Sequence, residues 1–244
     1  MELNENIGEY DIDGNIIATR LEADPQALRI AYETDRANIG GGGLGSIPII
    51  DIRPYVDTIP DIHDEFRSCV TRARLMAANG HADNQVILTV PLGGNPIQNL
   101  IDPKSLFNRQ LRATLPLMDH WQDNIARDHS KASVAEKTAS NKPAGLVDAC
   151  WTEDGEKIVE KRTYDGNGRR NQLFPPHGDP RIAAGEPLAE NILKCAPKPI
   201  EPKDYVRPLT EDQLARLKAI FPKGVCDYSR PGVGARLAQG TWRT

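Results

Sequence analysis

With 244 residues, 34 acidic against 30 basic side chains and a net charge of −4, the chain has no electrostatic footprint for nucleic acid or an anionic membrane surface. Hydrophobic residues at 39% and aromatics at 5% are sparse for a self-sufficient globule, and 20 glycines with 19 prolines point to a folded portion joined to long irregular segments. No apolar run approaches the roughly 20 residues of a membrane span, and the opening MELNENIGEYDIDGNII has neither the basic nor the apolar region of a secretion signal.

Residues 1–23 are polar, and DIDGN (Asp11–Asn15) reads as a turn. ADPQALRIAYETDRANIGGGG then predicts a helix. Asp24 caps it, Pro25 takes the first helical position, where its missing N–H costs nothing, and Leu28, Ala31 and Tyr32 share a face. The run Gly40–Gly43 begins the stop. It lacks GK[ST] and precedes a strand, so it reads as a flexible lead and not as a phosphate loop.

SIPIIDI is apolar and β-branched and predicts a buried strand. From Asp61 to Asn79 the period becomes helical through Ile62, Phe66, Cys69, Val70, Ala73, Met76 and Ala77, and Gly80 closes it. NQVILTV (Asn84–Val90) is a second buried strand, so this region is a βαβ unit with parallel pairing. An amphipathic stretch from Pro103 to Asp128 follows, with Pro116 as a kink or break.

After Ser130 the pattern loosens. TEDQLARLKAIF alone stands out: Thr210 and Gln213 form a capping box, and Leu214, Leu217, Ile220 and Phe221 make a stripe for docking on the body. The chain therefore reads as residues 1–129, part of an α/β domain, followed by an extended, partly helical, Pro-rich tail over 130–244. Two strands apolar on both faces need neighbouring strands and helices that the recognisable elements do not supply. The expected fold is the C-terminal portion of a larger parallel sheet, with apolar surface exposed when the chain is expressed alone.

Cys69, Cys150, Cys195 and Cys226 show no CxxC spacing, which argues against a zinc site, and no cofactor or metal is expected. Cys69 falls inside a helix and reads as core. Cys195 and Cys226 are either two small unpaired apolar residues or a bridge closing a loop of about 30 residues, worth on the order of 3–4 kcal/mol in the chain-entropy treatment.

The stretch PIIDIRPYVDTIPDIH carries the chemistry. In α/β-hydrolases a late strand opens with proline and apolar residues and presents the catalytic acid some nine residues on. Here Pro48 leads to Asp57, with Pro60 beyond. The C-terminal edge of a parallel strand is where open α/β sheets place their sites, and a turn there can aim a carboxylate at a histidine. The competing reading is a core strand ending in a solvated aspartate. A histidine is expected just past the second strand, but that place reads PLGGNP (Pro91–Pro96). His63 and His81 remain as candidates. His63, near a helix start, is suited by the dipole to act as a neutral base. His120, His129 and His177 read as surface residues. No GxSxG exists, so the chain lacks a serine nucleophile of its own.

GEYDIDGNIIA, ADPQALRIAY, GGGLGSIPIIDIRPYVD, DIH, RARLMAANGHADNQVI, LVDACW and LKAIFPKGVCDYSRPGVG…GTW together resemble the C-terminal part of a large, mainly bacterial family. It is domain-of-unknown-function family 6351, whose longer members look like α/β-hydrolases, and the likeness runs from Leu3 to Trp242. The resemblance implies a nucleophile in an N-terminal half absent from this chain, with Asp57 as the acid and His63 as the histidine. A histidine so soon after the acid departs from the usual hydrolase order. The segment GRRNQLFP (Gly168–Pro175) lacks a cysteine expected of the family, which leaves Cys150 without a partner and makes Cys195–Cys226 the bridge. It further implies a secreted or periplasmic parent.

Two functions follow. One is the C-terminal fragment of an exported esterase-like serine hydrolase acting on a small-molecule or polymeric ester, with the missing N-terminal half as partner. The other is a non-catalytic α/β fragment or interaction module.

Overall fold

The computed structural model describes residues 13–15, 23–36, 38–58 and 63–239. In chain order it contains α1 (Pro25–Glu33), β1 (Ile49–Tyr55), α2 (Phe66–Asn79), β2 (Gln85–Pro91), α3 (Pro96–Ile101), α4 (Leu106–Arg127) and α5 (Val134–Ser140). Then come β3 (Ala149–Trp151), β4 (Lys157–Val159), α6 (Arg169–Leu173), α7 (Pro180–Ala183), β5 (Ala196–Lys198), α8 (Glu211–Ile220) and β6 (Val225–Asp227). The chain forms two compact units, one of Asn38–Asp179 and one of Met1–Ala37 with Pro180–Thr244.

The first unit holds a four-stranded sheet in the order β1-β2-β3-β4. β1 and β2 run parallel as the sequence predicts, from Ile49 opposite Gln85 to Tyr55 opposite Pro91. The expectation that the chain supplies no lateral neighbour is corrected on one side. β3 lies parallel to β2, and β4 closes antiparallel on β3. Both strands are three residues long and sit in the stretch where the sequence shows no period.

Helical cover also comes from within the chain. The even positions Ile50 and Ile52 share a core with Val86, Leu88, Val90, Trp151 and the α4 residues Leu106, Phe107 and Trp121. The odd positions turn the other way, as the pleat requires. There Arg53 donates through Nε to Ser68 Oγ of α2 at 2.8 Å and to Asp51 Oδ1 at 2.9 Å. α4 continues as one helix through Pro116, so the alternative of a break there is corrected. Trp121, fully buried, donates its indole N–H to Thr138 O at 2.9 Å and so ties α4 to α5.

Unlike β2, whose first six residues are buried, β1 is half-buried throughout. Among the described residues it has β2 as its single neighbour, which leaves its outer edge open. Ile49 N–H bonds Asn84 O at 2.8 Å, so alternation turns the backbone groups of Ile50, Ile52 and Pro54 toward that open edge. Pro54 therefore removes no donor from the ladder, which is where a strand tolerates proline.

The glycine run ahead of β1 is packed at its first residue, Gly40, while Gly42 and Gly43 are exposed. Gly40, at φ +86°, lies so close to α2 that a Cβ would stand 2.4 Å from Arg74 O. Its carbonyl accepts from Asn79 Nδ2 at 3.0 Å. Here glycine allows two backbones to meet, and the expected flexible lead is a contact.

In the second unit, Asp24 caps α1 as predicted, accepting from the backbone N–H of Gln26 at 2.7 Å. Of the expected turn at Asp11–Asn15, residues 13–15 are described, with Gly14 at φ +81°. Tyr32, 2% exposed, anchors α1 by donating to Asn191 O and accepting from Leu193 N–H, both at 3.1 Å. β5 and β6 pair antiparallel, and the predicted disulfide Cys195–Cys226 joins them with Cα atoms 5.3 Å apart. α8 carries the predicted capping box, with Gln213 N–H on Thr210 Oγ1 and Thr210 N–H on Gln213 Oε1. The apolar stripe of α8 is thinly covered: Leu214 and Leu217 are half-buried, and no α8 residue is fully buried.

Candidate functional site

β1 ends at Tyr55, and the chain turns at once into Val56 and Asp57, both buried. Asp57 is 7% exposed, so it is no solvated turn residue. Its Oδ1 accepts from the backbone N–H of Glu65 at 2.7 Å, eight residues on, and its Oδ2 from the backbone N–H of His177 at 2.9 Å, 120 residues on. Two N–H donors satisfy a desolvated carboxylate and fix its plane. The carboxylate is thus pinned at the C-terminal end of a parallel strand, the position from which open α/β sheets present functional groups.

Behind this clamp is a dry ionic hub. Glu65 is fully buried, with Arg162 Nη2 3.0 Å from Oε2 and Arg170 Nη2 3.2 Å from Oε1. Thr89 of β2 donates its hydroxyl to Glu65 Oε1, and Arg170 also reaches that hydroxyl. Burial pushes the Glu65 carboxyl up, against the pull of the two guanidiniums and Thr89. Arg162 is held further by Asn171 Oδ1 at 3.1 Å and Phe174 O at 2.8 Å. Beside the hub Arg72 clasps Asp148 with two nitrogens, Nη2 to Oδ1 at 3.0 Å, and Asp148 also accepts from the backbone N–H groups of Ile87 and Arg162. These charges lie between α2, the sheet and residues 160–174, and they fix where Glu65, and hence Asp57, must stand.

Residues 175–179, PPHGD, are brought to the same strand end. Tyr55 donates its hydroxyl to Pro175 O at 2.8 Å, and its ring meets Phe174 edge-on, with centroids 5.0 Å apart. Burial, then the charges of Asp57 and Glu65, push the Tyr55 phenol up to about 12. Asp64, between His63 and Glu65, has its carboxyl raised by burial and by Asp57, against the lowering pull of Arg67 and His177. Its Oδ1 is buried without a hydrogen-bond donor, the Arg67 Nε lying 3.7 Å away. Arg67 also lies 4.0 Å from Asp179.

His63 is exposed in a turn, and α2 starts at Phe66, not at the expected Asp61; Asp61 and Ile62 themselves lie outside the described residues. His63 therefore stands outside the first turn of α2, and the dipole argument for it does not apply. His81 keeps its Nδ1 3.8 Å from Asp83. His177, read from sequence as a surface residue, is exposed, but its backbone is bonded to Asp57. The dipeptide turn of PPHGD is the signal that would have drawn attention to it.

Cys69 and Cys150 are buried and free, and burial raises both thiols, Cys69 to about 11. Such burial disfavours the thiolate that a cysteine nucleophile needs. Cys150 packs against Phe174, inside the very segment that was noted for its absent cysteine. PLGGNP leads into a cavity of about 370 Å³ beyond the ends of β2 and β3, with Asn99, Ser105, Arg109 and Glu153 on its walls. Among the described residues no group of three or more His, Cys, Asp or Glu side chains is arranged to hold a metal ion, and no helix is long and apolar enough to cross a membrane.

Chemically, a fixed buried carboxylate beside histidine-bearing turns can orient an imidazole and stabilise its cation. In comparisons with known proteins, a family model described as a Tannase-like family of unknown function matches residues 1–236. No curated protein and no solved structure matches the chain.

Proposed function

The chain belongs to the Tannase-like family of unknown function, and from that premise we propose that it is the acid-bearing C-terminal part of a serine-dependent ester hydrolase, built on an α/β-hydrolase-like sheet. The observation that carries this reading is Asp57, buried just past the end of β1 with each carboxylate oxygen on a backbone N–H. The open outer edge of β1 supports it as well, because a parallel strand half-buried along its whole length has room for the neighbour that a preceding half would bring.

In this mechanism a serine of that half passes its proton to a histidine as its oxygen attacks the ester carbonyl carbon. The C–O bond then breaks, and the same proton leaves on the departing alcohol. Water repeats the sequence on the acyl-enzyme and regenerates the serine. Asp57 orients the histidine and stabilises its cation. The substrate is a small-molecule or polymeric ester. The Cys195–Cys226 disulfide fits an exported parent that meets an oxidising compartment.

A second reading is favoured by the same contacts. Both Asp57 oxygens are taken by backbone donors, which suits a clamp that joins two loops in a non-catalytic module. A fluorophosphonate probe separates the two. Under the hydrolase reading, co-expression with the upstream coding segment yields a labelled serine, and Asp57→Asn slows labelling at least 100-fold. No labelled serine in the co-expressed form leaves the clamp as the function of Asp57.

A further inference from the structure

We propose that the imidazole of this site is His177, and that His63 is not. The inference rests on the ester-hydrolase reading and names the group that carries its proton.

The geometry comes from the loop that bears the residue. Pro175 is held by Tyr55, His177 by Asp57 and Asp179 by Arg67, so three successive odd positions are tied to the end of β1 and the start of α2. This loop is fixed at the strand end that bears the buried Asp57 carboxylate. A histidine whose backbone N–H already bonds a carboxylate oxygen is one χ1 rotation from placing its ring Nδ1–H on that same oxygen, because N–H and Nδ1 point the same way in one staggered rotamer. Asp64 lies near enough for its carboxyl to respond to the charge of His177, and its buried Oδ1 has no hydrogen-bond donor. The charged groups gathered around this loop are thus the carboxylates of Asp57 and Asp64, together with Arg67 and Asp179. One of these two carboxylates can take Nδ1–H, which leaves Nε2 as the proton acceptor that a serine hydroxyl needs.

Chain order supports the choice. His177 follows the acid by 120 residues and arrives after the last strand of the sheet, as a hydrolase histidine follows its acid. His63 follows by six residues. His177 is exposed, so its side chain can be reached by a group from another segment.

Two readouts test this. Ring-nitrogen NMR on the present chain at neutral pH is expected to show His177 as the Nδ1–H tautomer. The ring should revert to the ordinary Nε2–H form when Asp57→Asn and Asp64→Asn are combined, and Asp64→Asn alone guards against a loop that fails to fold. His63 should keep the Nε2–H form throughout. In the co-expressed form with the serine-bearing segment, His177→Ala is expected to slow fluorophosphonate labelling 100- to 10,000-fold, with partial rescue by added imidazole, while His63→Ala changes it less than 3-fold. Labelling that survives His177→Ala, or a His177 ring in the Nε2–H form in every variant, overturns the assignment while the hydrolase reading stands. A wild-type form that never labels defeats the hydrolase reading and this assignment with it, and the NMR then reports the pairing alone.

Discussion

The two compact units of this chain solve the same problem by different means. Residues 38–179 enclose an apolar face around Trp121 and, on the other side of the sheet, a cluster of paired charges shut off from water. The other unit has two three-residue strands, a helix with no fully buried side chain and a covalent cross-link. A segment with little apolar surface to bury gains by restricting its unfolded state, whereas a segment with a sheet can bury even charges, provided every one finds a partner. The lesson is that the part carrying the candidate chemistry is held by interactions sensitive to charge, and the other part by one sensitive to redox state.

The widest gap between them is expected from Arg170→Met. It leaves Glu65 with a single guanidinium in a dry site, and breaking such a pair costs about 3–5 kcal/mol. In a Trp242→Phe background, chemical denaturation followed by the fluorescence of Trp121 and Trp151 should show that loss, and amide exchange of residues 211–220 should not move. A change under 1 kcal/mol would mean that water reaches the hub.

Cys195→Ser, or reduction of the wild type, is the mirror experiment. It should lower the stability of the disulfide unit by roughly 3–4 kcal/mol, read as faster amide exchange around β5 and β6, with the fluorescence transition unchanged. Loss of both signals would show that the units unfold as one.

The smallest effect is acid. Burial pushes the Asp148 carboxyl up, but Arg72 and the N–H groups of Ile87 and Arg162 outweigh it and hold it below the ordinary aspartate range. The folded carboxylate keeps its charge at a pH where the unfolded one takes a proton. This stabilisation is therefore complete above about pH 4 and is lost as pH falls through the depressed folded value. The sheet unit should loosen over that window and the disulfide unit should not. In Asp148→Asn the acid slope should flatten, and an unchanged slope would assign the acid response to other carboxylates.

How much of this was legible follows from where the signals lie. α1, β1, β2, the α8 capping box and the pairing of Cys195 with Cys226 were readable, because caps and apolar periods are properties of neighbouring residues and the bridge was implied by family likeness. β3 and β4 were not, since ACW and KIV are too short to show a period. α2 starts late because Glu65 gives its N–H to the Asp57 carboxylate, a contact that no helical pattern foretells. Gly40 looked like slack and is a backbone contact. His177 was passed over for a similar reason: what ties it to Asp57 is its main chain, which every residue type possesses.

The clamp at Asp57 also sets an order of events on the ribosome. Strands β1 and β2 leave the exit tunnel while Arg162, Arg170 and His177 are still untranslated, so the carboxylates of Asp57 and Glu65 spend that interval hydrated and without their later partners. The acid-bearing turn is consequently finished only after the 120 residues that follow Asp57 as far as His177 have been added, and a product truncated before Arg162 would carry the strands without the means to set that turn.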